Sequence, residues 1–139
     1  DDAFSVPMSD YSSDRFNDDA YTPLIQGDDV RDFAIAPRVR AFFPYDDKHK
    51  LIGLSAFASE AKYLWPLRTE LGNRATFTKG TYFSDGRPWY EWHQLPVDER
   101  CSPLSIAFAE VATHNHFVLD RGGKAFKQTA PVIKLPQGA

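Results

Sequence analysis

Ten residues, Gly86 to Leu95, hold two of the three tryptophans of this chain, with a tyrosine, an arginine, a histidine and a glutamine. Trp89, Tyr90 and Trp92 offer flat apolar faces with polar edges, and Arg87, His93 and Gln94 offer hydrogen bonds. On a surface this mixture suits recognition of something flat and polar, such as a nucleobase edge or a nucleic-acid backbone. In a strand the same residues would plug a core, because aromatic clusters in small domains usually pack. Residue type alone leaves both readings open.

Two further groups carry chemistry. His114, Asn115 and His116 spell the letters of a nuclease motif. In that motif the three residues are spread over a hairpin and a helix around one metal, whereas neighbours in a strand point to opposite faces. His114 and His116 share a face and could hold a metal, but no cysteine pair or third histidine at metal spacing supports one. Beside a basic turn they suit phosphates or base edges better. Arg121, Lys124 and Lys127 cluster around Gly122 and Gly123, which permit close backbone approach to a ligand, and the cations suit phosphate. There is no G-x-x-x-x-G-K-[ST] loop, no G-x-G-x-x-G loop and no nucleophile elbow. Cys101 has no histidine near it in sequence, and the carboxylates form no convincing acid–base pair. The set is one for recognition rather than catalysis.

The elements that must position these residues are mostly strands. Leu24-Ile25, Val39 to Phe43, Thr76 to Phe83, Ser105 to Thr113, Phe117 to Leu119 and Ala130 to Leu135 read as strands, with Leu51 to Leu54 pairing back as a hairpin. Gly27-Asp28-Asp29 and Asp46 to Lys50 are turns, and Asp120 to Lys124 is a basic hairpin turn. Ser55 to Arg74 is the principal helical segment. Phe57, Ala61, Leu64 and Leu71 fall on one face, Ser59 can cap, and Gly72 can terminate. Pro66 predicts a kink, or two short helices with the proline in the first turn of the second. Arg68 and Arg74 are expected on the solvent side. The fold class is α+β, a mainly antiparallel sheet with one kinked helical segment.

Length and charge bound the function. The 139 residues are 42% hydrophobic, 25% charged and 14% aromatic, the composition of one globular domain. No apolar run approaches the roughly 20 residues of a membrane span, and no signal segment opens the chain. A single cysteine excludes an internal disulfide and fits a cytoplasmic location. Residues 1–30 carry eight aspartates and one arginine, whereas the remainder carries fifteen Lys and Arg against eleven Asp and Glu. The head is acidic and the body mildly basic, which is compatible with nucleic acid. Residues 1–22 read as an extended or partly disordered lead-in or linker, and residues 23–139 as the domain. The non-methionine start and the ending Leu-Pro-Gln-Gly-Ala are those expected of a piece excised from a longer protein.

Four blocks in order resemble one family. They are Pro23 to Phe33 (PLIQGDDVRDF), Phe42 to Asp46 (FFPYD), Trp89 to His93 (WYEWH), and Ala112 to Pro136 with ATHNHFVLDRGGK and APVIKLP. Together they resemble the target-recognition region of large adenine-N6 DNA methyltransferases, with a TaqI-like specificity domain. These include type IIG restriction–modification enzymes and the methyltransferase of BREX phage-defence systems. The resemblance implies a module that closes on double-stranded DNA, reads a short site and positions an adenine for a separate catalytic domain of the same parent chain. It implies S-adenosylmethionine in the parent and no cofactor here, since the chain has neither an Asn/Asp-Pro-Pro-Tyr/Phe motif nor a methyl-donor glycine loop. The residues expected to contact DNA are Arg87, Trp89, Tyr90, His93, Gln94, His114, Asn115, His116, Arg121, Lys124 and Lys127, with no catalytic or metal-binding residue. Two rival readings remain. One is a structural domain docking on the methyltransferase core, and the other is a small metal-dependent nuclease built on His114 and His116.

Overall fold

A computed structural model describes residues 2–93 and 104–136. The chain begins with a short strand, β1 (Ser5–Pro7), and continues through β2 (Tyr21–Ile25), β3 (Val30–Arg31), β4 (Ala34–Ile35) and β5 (Val39–Phe42). A helical segment follows as α1 (Ala58–Leu64), a 3-10 turn (Trp65–Leu67) and α2 (Arg68–Gly72). After a run of turns come β6 (Ser105–Phe108), β7 (Phe117–Asp120), β8 (Ala125–Phe126) and β9 (Val132–Lys134).

The fold is α+β with mainly antiparallel sheets. One sheet has the order β1-β5-β2-β8, a second is the β3–β4 hairpin, and a third has the order β7-β6-β9. The exception to antiparallel pairing is β2 with β8, where Leu24 and Ile25 lie beside Ala125 and Phe126 in parallel register. Both strands belong to the four-stranded sheet, and β8 follows β7 of the three-stranded sheet in the chain.

The helical segment is broken where the sequence predicts. Pro66 stands in the first turn of the 3-10 stretch, where its missing N–H has no helical acceptor to lose. Phe57, Leu64 and Leu71 are buried on the expected face, and α2 ends at Gly72. Ser59 is not the cap. Phe57 occupies that position with no side-chain cap bond.

Three other local expectations differ. Residues 1–22 are not a separate lead-in: β1 pairs with β5, and Phe4, Val6 and Phe16 are core side chains. Thr76 to Phe83 forms turns with a single bridge, Ala75 to Thr81, rather than a strand. There the Asp85 carboxylate accepts from the Thr76 and Thr78 hydroxyls and the Ser84 hydroxyl accepts from the Thr81 N–H, so side chains compete with a ladder. Leu51 likewise bridges only Tyr45, and a 3-10 turn (Leu54–Ala56) replaces the returning strand.

The core divides in two. The larger cluster joins Phe4, Phe16, Tyr21, Leu24, Phe42, Phe57, Leu64, Leu71, Trp89 and Trp92 between the four-stranded sheet and the helices. The smaller one joins Ile25, Val30, Ala107, Val118, Phe126 and Ala130 under the three-stranded sheet.

Candidate nucleic-acid interface

The aromatic stretch proves to be part of the core. Pro88 to His93 is turn and bend, and Trp89 and Trp92 are only 9% and 5% exposed, so their faces meet protein. The Trp92 ring stacks on Phe4 at 6.0 Å and meets Phe43 edge-on at 5.6 Å. Its indole N–H donates to the Phe42 carbonyl at 2.8 Å, and its backbone N–H donates to the Tyr45 hydroxyl at 2.9 Å. Burial pushes the Tyr45 phenol up to about 12, which keeps it neutral. Trp89 meets Trp65 edge-on at 6.3 Å, and the Tyr90 hydroxyl donates to the Ile52 carbonyl at 3.1 Å.

The polar residues of that stretch are engaged as well. Arg87 donates twice to the Glu91 carboxylate, at 3.0 and 2.8 Å, with its guanidinium 4.5 Å from the Tyr82 ring centroid. His93 Nδ1 lies 3.1 Å from the Tyr82 hydroxyl. Burial, with Arg74 and Arg87 nearby, lowers the His93 pKa from the ordinary 6.5. Arg74 is not a solvent arginine: it donates to the carbonyls of Leu71, Trp89 and Glu91 at 2.7, 2.9 and 2.6 Å, clamping the end of α2 to the aromatic turns. Gln94 lies outside the described residues.

The His-Asn-His segment sits at the start of β7, against the tip of the β3–β4 hairpin. His116 is buried, and its Nδ1 lies 3.2 Å from the Asp32 backbone N and 3.1 Å from Asp32 Oδ1. An unprotonated Nδ1 accepts from the N–H, and a protonated one donates to the carboxylate, so Asp32 holds the ring in either state. His114 and Asn115 are exposed, with the two histidine rings 6.4 Å apart. Among the described residues no three His, Cys, Asp or Glu side chains gather as a metal site. The adjoining tip is unusual: Asp32 and Phe33 have φ of 32° and 70°, and Phe33 is 89% exposed. The sequence reading passed over Phe33, although a turn of two residues without glycine between short strands was a signal.

The Gly-Gly turn joins β7 to β8 and so passes between two sheets; it is not the hairpin expected from sequence. Gly122 and Gly123 do take positive φ, 90° and 73°. The buried Asp120 carboxylate organises the turn, accepting from the Gly122 N–H at 2.9 Å and from Lys124 Nζ at 2.6 Å. Lys127 reaches Asp2 at 2.9 Å. Thus two of the three cations already have carboxylate partners, while Arg121 stands exposed.

A shallow pocket of about 150 Å³ opens beside the turn, lined by Thr22, Phe43, His49, Gly123, Lys124 and Ala125. His49 reaches it from the Asp46–Lys50 turn at φ 56°. Asp46 Oδ1 accepts from the backbone N–H groups of Lys50 and Lys48 at 2.8 and 2.9 Å, and these bonds hold its carboxyl below the ordinary range. The side chains of Lys48 and Lys50, which flank His49 in sequence, are exposed. Sequence reading saw only a charged turn there, because its neighbour across the pocket is more than 70 residues away.

The candidate residues thus fall in three places. Arg87, Trp89, Tyr90 and His93 belong to the packed aromatic turns, His114 to His116 to one end of β7, and Arg121 and Lys124 to the other. Four strand residues separate those ends by roughly 14 Å, at 3.4 Å each. Of these candidates His114, Asn115 and Arg121 are exposed, as are Phe33, Lys48 and Lys50 on the neighbouring turns.

No protein-family model matches the chain. A curated relative does. Over all 139 residues the chain is 54% identical to the adenine-specific methyltransferase PglX of Streptomyces coelicolor. The chain spans 12% of the length of that relative. It is therefore similar to one region of a methyltransferase, from end to end. Among the described residues no helix is long and apolar enough to cross a membrane.

Proposed function

We propose that this chain is the DNA-recognition module of an adenine-N6 DNA methyltransferase in a BREX-type phage-defence system, and that it is not catalytic by itself. The observation that carries the reading is the 54% identity to the PglX methyltransferase over every residue of the chain. Catalysis and S-adenosylmethionine belong to another part of the parent. The chain carries no Asn/Asp-Pro-Pro-Tyr/Phe motif.

Double-stranded DNA is the proposed partner. The exposed cations Arg121, Lys48 and Lys50 hold phosphates, with Lys124 contributing less because Asp120 offsets its charge. His114 and Asn115 reach base edges. Arg87, Trp89, Tyr90 and His93 hold the packed aromatic turns, and His116 and Lys127 hold Asp32 and Asp2, so their roles in this reading are structural. A domain swap tests the reading. Replacing these residues in the parent with the matching region of a relative of different specificity should transfer the methylated site. Loss of methylation without any change of site would count against sequence recognition.

A second reading has its own support. A domain that docks on the methyltransferase core would present an apolar surface, and the three-stranded sheet has one.

A further inference from the structure

The β7-β6-β9 sheet carries an apolar outer face. On the inner face Ala107 and Val118 are buried within the smaller core. On the outer face Ile106 stands between its cross-strand partners Leu119 and Ile133, and Phe108 opposes Phe117 with ring centroids 5.8 Å apart. Leu119, Ile133 and Phe117 are 52%, 50% and 47% exposed. A solvated sheet face is ordinarily polar, and a contiguous apolar outer row marks a face that another surface covers. In β6 and β7 the outer positions are Ile106, Phe108, Phe117 and Leu119, with no polar residue among them.

We infer that this outer face is an intramolecular interface, and that it seats an apolar surface from the remainder of the parent methyltransferase. The inference rests on the proposed parentage. Its occupant follows from chemistry and length. Five side chains without charge or hydrogen-bonding group offer nothing to phosphates or base edges. The chain spans only 12% of its PglX relative, so most of a parent of like size lies outside these residues and is tethered to them. A tethered surface needs little intrinsic affinity, because its effective concentration is on the order of millimolar.

Hydroxyl-radical footprinting of the full-length parent, read residue by residue by mass spectrometry, tests this. Like residues provide the scale: Phe77, 82% exposed, for Phe117, and Val111, 87% exposed, for Leu119 and Ile133 after correction for intrinsic reactivity. Docking predicts oxidation of Phe117, Leu119 and Ile133 at least about fivefold slower than their references, as in a water-excluded interface core. It also predicts no change on dilution or on adding duplex DNA, and loss of protection at Phe117 in the Leu119→Glu, Ile133→Glu double variant. A smaller difference would overturn the inference. So would protection that disappears on dilution, which indicates a second copy, or that appears only with DNA. The readout does not depend on DNA binding, so it separates failure of this interface from failure of the recognition reading.

Discussion

Lys124 Nζ lies 2.6 Å from Oδ1 of Asp120, whose side chain is 1% exposed against 27% for the lysine. The pair closes the Gly122–Gly123 turn, since Asp120 also accepts from Gly122 N–H. Lys124→Ala leaves a buried carboxylate with one backbone donor. Breaking a fully buried pair costs about 3–5 kcal/mol, and the partly exposed lysine reduces that to about 2 kcal/mol. Urea denaturation measures the loss. Asp120→Asn in the same background should recover part of it by removing the orphaned charge.

The same pair ranks the cations for DNA. Arg121→Ala should weaken binding across all sequences and lower the slope of log affinity against log salt by about 1. Lys124→Ala should lower it by less, because its charge is already offset by Asp120. Equal slopes for the two variants would mean that the pair opens when DNA binds.

Trp92 should behave as a structural residue. Trp92→Phe keeps the stacking on Phe4 but leaves the Phe42 carbonyl without its donor, for a loss of about 1–3 kcal/mol. Trp92→Ala also opens a cavity and should cost about 3–5 kcal/mol. Denaturant midpoints check both. A Trp92→Ala variant of normal stability that failed to bind DNA would return this residue to the interface.

Phe33 carries a testable trade-off. Its φ of 70° is left-handed, which costs a side chain roughly 1–2 kcal/mol, while glycine loses about 0.5–1 kcal/mol in backbone freedom. With the ring 89% exposed there is little burial to lose. Phe33→Gly should therefore raise stability by about 0.5–1 kcal/mol in chemical denaturation. If the tip meets DNA, the same change weakens binding.

His93 sets a pH dependence. Burial and the nearby arginines lower its folded pKa below the unfolded 6.5. The unfolded state then binds the proton more readily, so stability is full above 6.5 and falls as pH drops through 6.5 toward the folded value. Denaturation between pH 8 and 5 should show this decline, and His93→Gln should flatten it.

Much of the local structure was legible. Pro66 announced the break in the helix, and the β-branched and aromatic runs announced β5, β6, β7 and β9. The partition into sheets was not, because the parallel pairing of β2 with β8 joins segments 100 residues apart and no local period reports it. The acidic head concealed β1: Phe4, Val6 and Phe16 enter the core singly, without a spacing that marks a face. Trp89 and Trp92 have the same residue types in a core as at an interface, and only tertiary packing decides between them. The exposed residues of the Gly-Gly turn and the His-Asn-His segment were found by type. His49 was missed because Gly123 and Lys124, across its pocket, are distant in sequence, and Phe33 because its place at an exposed turn shows only once β3 and β4 pair.

The most direct test is fluorescence anisotropy of duplex DNA titrated with this chain across a salt series, on a sample verified as folded by circular dichroism. The recognition reading predicts binding at low salt that weakens steeply as salt rises, and further weakening in the Arg121→Glu, Lys124→Glu double variant. A folded chain that leaves the anisotropy unchanged at low salt would contradict it and leave docking on the methyltransferase core as the better account.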